Sequence, residues 1–395
     1  MSKFTMSDET QEISNGNARF TVIGVGGGGG NAVEHMVKQG VKGVTFVCAN
    51  TDKQALDTLT APQKLQLGAE SNRGLGAGAN PEVGREAAES EEVAIRKLLE
   101  NTDMVFITAG MGGGTGTGAA PVIARVAKEM EILTVGVVTT PFKFEGGKRM
   151  KAAKAGIEQL TNFVDSIITI PNDKVLSVYG NISMQDAFKK ADDVLLNAVK
   201  GIAETITMPG LINIDFEDIQ TAMTSRGHAM MGIGRASGDD RARQATIKAI
   251  KSPLLDDLRL ENAKGLLVNV VASSSLTLSE FHEISEIVSS ITDEDEADIF
   301  YGSVLDEDMG DDLGITVIAT GLSLDERPKD PMQNVLAANS EQGIDPKTHT
   351  TALSSQKKSQ SPLYQDEVDA DTAPAQPRNV NSVSITDYLR SQQKK

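Results

Sequence analysis

The chain has 395 residues, with 55 acidic and 38 basic side chains and a formal net charge of −17. This length allows two domains and a tail, and the negative charge argues against nucleic acid or an anionic membrane surface as a direct partner. The single cysteine, Cys48, excludes an intramolecular disulfide and fits a reducing compartment. Residues 1–17 carry no apolar secretion signal, and no apolar run approaches the roughly 20 residues of a membrane span. We therefore expect a cytoplasmic protein that does not insert into membranes.

Apolar runs alternate with helical patterns through the first half of the chain. Strands are predicted at residues 20–25, 44–49, 64–67, 104–107, 132–138 and 166–170. Helices are predicted at residues 32–38, 82–101, 119–128 and 148–160. The strand runs are apolar without alternation, which is typical of a mostly parallel sheet with helices on both faces. Because ligands of such sheets bind at the carboxyl ends of the strands, we expect the binding site at that rim.

Three glycine clusters occur beside these strands, at residues 24–31, 74–81 and 110–118. A glycine-rich loop lets the backbone close around a ligand, and its amides together with the start of a following helix suit phosphate. Thr115 and Thr117 are expected to add hydroxyl donors. A flexible linker is the weaker alternative for residues 110–118, because a strand and a helix flank that loop.

Two kinds of nucleotide site are compatible with these loops. Gly24, Gly26 and Gly29 fit the dinucleotide fingerprint, with Asp52 near the position of a ribose-binding acid. If these residues form a dinucleotide site, the chain is a dinucleotide-dependent Rossmann-type oxidoreductase. Three amide-rich loops on one rim instead suit a more concentrated charge, such as a triphosphate. The P-loop motif with its lysine is absent from the sequence, so backbone amides and Mg²⁺ would have to meet that charge.

The second half of the chain has a different character. Residues 183–208 predict a long central helix that joins a first domain, residues 18–182, to a smaller α/β domain, residues 209–324. Within that smaller domain, helices are predicted at residues 216–223 and 239–251, and strands at residues 265–272, 299–305 and 315–321.

Three segments are predicted to lie outside the folded domains. Residues 325–379 are polar and should form a disordered linker, and residues 1–17 should form a disordered arm. The apolar residues that return at 380–395 are typical of a peptide that orders on a partner.

The glycine signature at residues 112–118, with residues 26–31, 50–52, 74–81 and 141–146 in the same order, resembles the bacterial FtsZ family of tubulin homologues, the cell-division GTPases. The resemblance covers residues 20–324. It implies a tubulin/FtsZ-type fold, in which a mostly parallel-sheet GTP-binding domain is joined by a long central helix to a smaller α/β domain. It further implies GTP/GDP with Mg²⁺ as ligands and head-to-tail filaments of the division ring at mid-cell, which act in septum formation.

The same resemblance implies, position by position, which residues hold the nucleotide. Those implied at the phosphates are Gly27, Gly28, Gly29, Gly30, Asn31, Ala77, Gly78, Ala79, Asn80, Gly114, Thr115 and Gly116. Those implied at the sugar and the base are Glu145, Arg149, Asn172, Phe188 and Asp192. No protein-bound structural metal is expected.

Guanine recognition is implied for the start of the central helix. Phe188 would stack on the base, although core packing is an equal alternative for this residue considered alone. Asp192 would accept from the N1–H and the amino group, and Asp193 is a neighbouring candidate for that role. A carboxylate there explains a preference for guanine, because adenine lacks both donors.

Catalysis is implied for Asn213, Asp215 and Asp218, just after the central helix. In the family this loop enters the nucleotide pocket of the next subunit, where the carboxylates position and polarise the attacking water. The ordinary alternative is a helix N-cap with first-turn acids, and the residues could serve both purposes. Head-to-tail stacking is an open contact and gives filaments.

The terminal peptide, residues 384–390, resembles the family tail that binds membrane-tethering division proteins and regulators. It lacks the usual proline and has Tyr388 in place of phenylalanine. The identity of its partner is therefore left open.

Overall fold

The computed structural model describes residues 18–70, 73–180, 182–208, 210–224, 227–255, 263–292 and 297–322. The predicted N-terminal arm (1–17), linker (325–379) and C-terminal peptide (380–395) lie outside the described residues. Every described residue belongs to one compact unit. The domain boundaries at residues 182, 208 and 324 stay predictions.

One ten-stranded sheet runs through the described part of the chain. Its strands are β1 Phe20–Val25, β2 Val44–Asn50, β3 Gln63–Gln66, β4 Met104–Gly110, β5 Leu133–Thr140, β6 Ser166–Pro171, β7 Gly227–Ser237, β8 Gly265–Ala272, β9 Asp298–Leu305 and β10 Asp312–Leu322. Their spatial order is β3-β2-β1-β4-β5-β6-β7-β10-β8-β9. Strands β1 to β6 are parallel, β7 continues parallel to β6, and β10 runs antiparallel to β7 and β8. The prediction of a mostly parallel sheet is confirmed.

Eleven α-helices lie within the described residues. They are α1 Gly26–Lys38, α2 Lys53–Thr58, α3 Pro81–Glu89, α4 Glu92–Leu99, α5 Thr115–Glu129, α6 Gly147–Thr161, α7 Asn172–Tyr179, α8 Met184–Thr207, α9 Phe216–Thr224, α10 Arg241–Ile250 and α11 Leu278–Ser289. The predicted long central helix is α8. In the described part of the chain, every helix is too short or too polar to cross a bilayer.

Helices cover both faces of the sheet. The side chains of β1 alternate between these two faces. Phe20 and Val22 pack in the core formed with α1 and α8. Ile23 and Val25 pack in the opposite core, formed with α3, α4, α5 and α6. A third core lies between β8, β10, α10 and α11. Cys48 lies in the first core, where burial raises the pKa of its thiol to about 12, as expected for a packing residue rather than a reactive thiol.

Two predicted element boundaries are wrong. Residues 26–31 form the first turns of α1, whereas the sequence analysis assigned them to a loop before a helix at residue 32. Glycine is a poor helix former, but tight packing of this helix against the sheet overrides the propensity. The single helix predicted at residues 82–101 is two helices, α3 and α4, separated at Ser90 and Glu91.

Helix α8 runs along the sheet from the carboxyl ends of the parallel strands to their amino ends. Its 24 residues span about 36 Å. Its last residue, Thr207, contacts Gly43, which immediately precedes the amino end of β2. Helix α9 packs at the same edge, because the Phe216 ring lies 6.4 Å from the ring of Phe20, the first residue of β1. The segment that follows α8 therefore lies at the amino edge of the parallel strands.

The packing of α3 on α5 has no room for a side chain at Gly118. An alanine Cβ there would lie 1.9 Å from the Pro81 carbonyl oxygen. We predict that Gly118→Ala lowers the free energy of unfolding by about 1–3 kcal/mol or more, because α3 must move off α5. Urea unfolding of nucleotide-free protein measures the change.

Gly147→Ala is the matched control. Gly147 is the first residue of α6, and an added Cβ would meet no atom within 4 Å. This variant should lose no stability. Equal unfolding midpoints for the two variants would contradict the packing argument.

Candidate functional site

A cavity of about 430 Å³ opens at the carboxyl edge of the parallel strands. Its lining residues are Gly27, Gly28, Asn31, Gly110, Met111, Gly113, Gly114, Thr115, Gly116, Thr139, Pro141, Glu145, Arg149, Asn172, Phe188, Ala191, Asp192 and Leu195. The segments that follow β1, β4, β5 and β6 all contribute, together with the first half of α8. Eleven of the seventeen predicted nucleotide-binding residues line this cavity.

The starts of α1 and α5 form one part of the cavity wall. Neither helix has a side-chain hydrogen bond that caps its amino end, whereas Asn80 caps α3 and Ser183 caps α8. The first-turn amides of α1 and α5 are therefore left for another acceptor. Two uncapped helix starts on one cavity make a binding site for an anion such as phosphate.

The two glycine runs meet at close range. Gly26 has a φ of +72°, and a Cβ on it would lie 2.8 Å from the Gly116 amide nitrogen. Thr115 lies at the cavity, with its hydroxyl 2.6 Å from the Thr51 hydroxyl. The structure corrects the expectation that Thr117 adds a donor to the site. Thr117 is buried, and its hydroxyl accepts a 2.8 Å hydrogen bond from the Gly112 amide, so it braces the loop.

Phe188 lines the cavity and contacts a pair of stacked aromatic rings. Phe142 is buried, with its ring stacked 5.1 Å from that of Phe144 and edge-on at 5.3 Å from that of Phe188. Phe188 itself is 42% exposed. It lines the cavity and is not a core side chain. Its stacking on a base stays a prediction.

The structure distinguishes the two adjacent carboxylates of α8. Asp192 lines the cavity, where burial raises the pKa of its carboxyl to about 6. Asp193 points elsewhere, with its carboxylate 2.7 Å from His35 Nε2 and 2.9 Å from Lys190 Nζ. Asp192 is therefore the carboxylate placed to meet a ligand.

Three further polar side chains line the cavity. Glu145 accepts a 3.0 Å hydrogen bond from the Phe142 amide and pairs with Arg149. Asn172 is 6% exposed, and its Oδ1 has no hydrogen-bond partner among the described residues. A buried acceptor without a partner costs free energy, so a donor from a ligand suits this atom.

Six predicted phosphate-binding residues lie outside the cavity lining. Gly29 packs against the Thr108 carbonyl and Gly30 against Leu59, behind the wall. Residues 77–80 lie beside the cavity, since a Cβ on Gly114 would meet both Ala77 and Asn80. Direct ligand contacts by these residues, including Gly78 and Ala79, stay predictions.

The three predicted catalytic residues lie at the other edge of the sheet. Asn213 Oδ1 accepts from the Gly210 amide at 3.0 Å, and Asp215 Oδ1 accepts from the Asp218 amide at 2.8 Å. The second bond confirms the helix-capping interpretation of Asp215. None of the three residues lines the described cavity.

Some lining residues were missed by the sequence analysis. Ala191 and Leu195 lie on the same face of α8 as Phe188 and Asp192, at helical spacings of three, four and seven. That spacing was available in the sequence. Met111 gave no comparable signal, because its position depends on how the glycine loop folds.

The fold and the cavity define an α/β nucleotide-binding protein that meets phosphate with helix amides and glycine loops rather than with a P-loop lysine. Residues 19–180 match the GTPase domain of the Tubulin/FtsZ family. Residues 227–323 match the C-terminal domain of the FtsZ family.

Relatives agree with this class. A cell division protein FtsZ from Coxiella burnetii is 57% identical over 80% of this chain and 81% of its own length. One from Pseudomonas aeruginosa is 53% identical over 88% and 87%. A solved FtsZ dimer from M. jannaschii has a TM-score of 0.76 at 41% identity, covering 82% of this chain and 94% of its own. The chain belongs to the FtsZ family of tubulin-like GTPases, and its ligands are GTP and GDP. These comparisons give no support to the oxidoreductase alternative.

The raised pKa of Asp192 predicts a pH-dependent effect on stability. An unfolded aspartate has a pKa near 4, so the contribution of this carboxyl is fully present below about pH 4 and is lost as the pH rises through 6. Asp192→Asn keeps a neutral group at every pH. We predict that the variant melts at a higher temperature than the parent protein at pH 8, and that this gain shrinks at pH 5.5.

Thermal unfolding of nucleotide-free protein at the two pH values makes the comparison. The control is Glu86→Gln, an exposed carboxylate of α3, which should show no such pH dependence. A gain for Asp192→Asn that is the same at both pH values would contradict the assignment.

Proposed function

We propose that this chain hydrolyses GTP between the subunits of a head-to-tail filament, as a cytoplasmic component of the division ring at mid-cell. The observation that carries the proposal is the separation of two parts of the predicted site. The nucleotide cavity lies at the carboxyl edge of the sheet, and Asn213, Asp215 and Asp218 lie at the amino edge.

The separation is too large for one chain to bridge. Strand β6 has six residues and spans roughly 20 Å. Asn172 lines the cavity just after its carboxyl end, while Ser166, at its amino end, donates to the Met223 carbonyl of α9. Two copies that stack in the same direction would bring the amino edge of one subunit onto the cavity of the next. Such a contact repeats without closing, so it gives filaments.

Both edges expose the apolar side chains that such a contact needs. Near the cavity, Leu75, Phe144 and Met184 are 81%, 59% and 62% exposed. At the other edge, Leu211 and Ile212 are 63% and 40% exposed, directly before Asn213. Large exposed apolar side chains gathered at two surfaces favour protein contacts there. The solved M. jannaschii relative, described as an FtsZ dimer, supports self-association.

The cavity residues have separate roles in this proposal. The amides of α1 and α5 hold the phosphates, with residues 77–80 beside them. Glu145 and Arg149 meet the ribose and the adjacent phosphate. Phe188 stacks on guanine, and Asp192 accepts from its N1–H and amino group. Because adenine offers neither donor to a carboxylate, the arrangement selects guanine.

Mg²⁺ would enter with the nucleotide. The described residues contain no group of three His, Cys, Asp or Glu side chains placed to hold a metal ion. Magnesium commonly keeps its waters and binds substrate phosphates, and the Thr115 hydroxyl at the cavity offers an oxygen ligand of the kind that it prefers. Bound there, it would neutralise phosphate charge.

The acids of the neighbouring subunit would act on water. Asp218 lies in the first turn of α9, and Asp215 holds that turn through its hydrogen bond to the Asp218 amide. We assign to Asp218 the positioning and polarisation of the attacking water, with Asp215 and Asn213 beside it. The γ-phosphate is then attacked only where two subunits meet.

The C-terminal peptide, residues 380–395, is proposed to bind membrane-tethering division proteins and regulators. The resemblance of residues 384–390 to the family tail supports this assignment. The length of the linker, residues 325–379, would let the peptide reach partners away from the filament.

Asp218→Ala tests the catalytic assignment. We predict that the variant binds GTP and sediments as filaments but loses GTP turnover by roughly 100-fold or more, because general acid–base groups contribute effects of this size. Phosphate release and sedimentation are measured on the same samples.

Glu217→Ala is the matched control, since Glu217 is the exposed neighbour in the same helical turn. It should keep most of its turnover. Normal phosphate release by assembled Asp218→Ala would show that the catalytic assignment is wrong.

A further inference from the structure

A cluster of four side chains lies behind the base end of the cavity. His35 of α1 pairs with Asp193 of α8 through Nε2 and Oδ1, which are 2.7 Å apart. The other oxygen of Asp193 accepts from Lys190 Nζ at 2.9 Å. The Lys190 ammonium in turn lies 5.1 Å from the centre of the Tyr179 ring, at the end of α7. We call these four residues the His35 cluster.

The cluster joins three helices, α1, α7 and α8, whose residues line the cavity. Helix α1 begins at the cavity, and Asn31, one turn before His35, lines it. Helix α7 begins with Asn172, whose buried Oδ1 has no partner in the described part of the chain. Helix α8 carries Phe188 and Asp192. The three elements that would hold phosphate and base are therefore tied together outside the cavity.

The His35–Asp193 contact constrains Asp193, the residue next to Asp192, which is proposed to bind guanine. Successive residues of an α-helix point about 100° apart, because each turn has 3.6 residues. Once Asp193 is fixed to α1, the direction of Asp192 is fixed as well. His35 and Asp193 are 23% and 29% exposed, so the contact is partly shielded from water. Lys190 alone cannot replace it, since Lys190 lies on the same helix as Asp193.

We propose that His35, acting through Asp193, is a positioning residue for guanine recognition. The inference rests on the proposed role of Asp192 as the reader of the base. His35 makes no contact with the nucleotide in this account. It sets the rotation of α8 relative to the phosphate-binding start of α1, and so sets how well the Asp192 carboxylate meets both guanine donors.

The test compares equilibrium binding of GDP and IDP to the nucleotide-stripped full chain, below its assembly concentration. IDP lacks the 2-amino group, so it loses one hydrogen bond to a charged acceptor. We expect the parent protein to bind GDP roughly tenfold or more tightly than IDP. Asp192→Asn should reduce that ratio strongly. His35→Ala should reduce it by about threefold or more, and adding His35→Ala to Asp192→Asn should have little further effect on it.

Three companion variants separate positioning from general damage. His35→Gln keeps an N–H that can donate to Asp193, and should retain most of the ratio. Asp193→Ala removes the same contact from the other helix and should lower the ratio as much as His35→Ala does. If one of the two variants folds poorly, the other still provides the test. Lys38→Ala breaks the α1 pair with Glu34 without touching α8, and should leave the ratio unchanged.

The outcomes distinguish this inference from the proposed function. If Asp192→Asn leaves the GDP/IDP ratio unchanged, Asp192 does not read the base and the underlying proposal is wrong. If Asp192→Asn lowers the ratio but folded His35→Ala and Asp193→Ala do not, the positioning role is overturned. Equal losses of GDP and IDP affinity in the His35 variants would also overturn it, because they indicate a structural role only.

Discussion

In the proposed mechanism, electrostatic repulsion between a triphosphate and a pair of carboxylates is the constraint on which the rest of the structure depends. Two like charges 4 Å apart repel by about 1 kcal/mol in water and about 4 kcal/mol near a protein surface, so acids placed beside the phosphates would oppose binding. The fold keeps them at opposite edges of one sheet, with the cavity beyond the carboxyl ends of the strands and Asp215 and Asp218 at the amino ends. In the proposed mechanism, nucleotide binding and hydrolysis are therefore separate events.

Helix α8 makes this separation rigid. Its first half lines the cavity, and it ends against Gly43, at the amino edge of β2. Its buried face contributes to the core shared with α1 and the parallel strands. The helix therefore connects the cavity with the amino edge of the strands. The His35 cluster fixes the cavity end of that connection, which is why its contribution should appear in base discrimination.

Close backbone packing builds the part of the cavity wall formed by the starts of α1 and α5. Gly26 lies so close to the Gly116 amide, and Gly116 so close to the Gly110 carbonyl, that neither position accommodates a side chain, and the buried Thr117 hydroxyl closes the loop through the Gly112 amide. The resulting wall presents uncapped helix amides instead of a lysine. These main-chain donors are fixed by the fold, whereas a lysine side chain would have to be ordered on binding.

Much of this arrangement follows from local sequence pattern, and the remainder depends on tertiary contacts. Apolar strand runs and glycine clusters predicted the parallel sheet and its ligand edge, since both signals are local. The helical start of α1 was not predictable, because glycine propensity opposes it and packing against Thr108 decides it. The choice between Asp192 and Asp193 likewise required the contact of His35 with Asp193, across 158 residues of sequence. Thr117 looked like a free donor, because nothing local reveals its bond to Gly112.

The central claim is that the cavity of one subunit and the acids of the next form a single active site, and mixing two inactive variants tests it most directly. Asp218→Ala has an intact cavity and lacks the acid. Gly27→Glu keeps the acids but places a carboxylate among the residues proposed to bind phosphate, at a position where an added Cβ meets no atom within 4 Å.

Each variant alone should release almost no phosphate from GTP, and the mixture should regain turnover because the cavity of one meets the acids of the other. A mixture that stays inactive, with both variants folded and Asp218→Ala still binding GTP, would contradict the shared site.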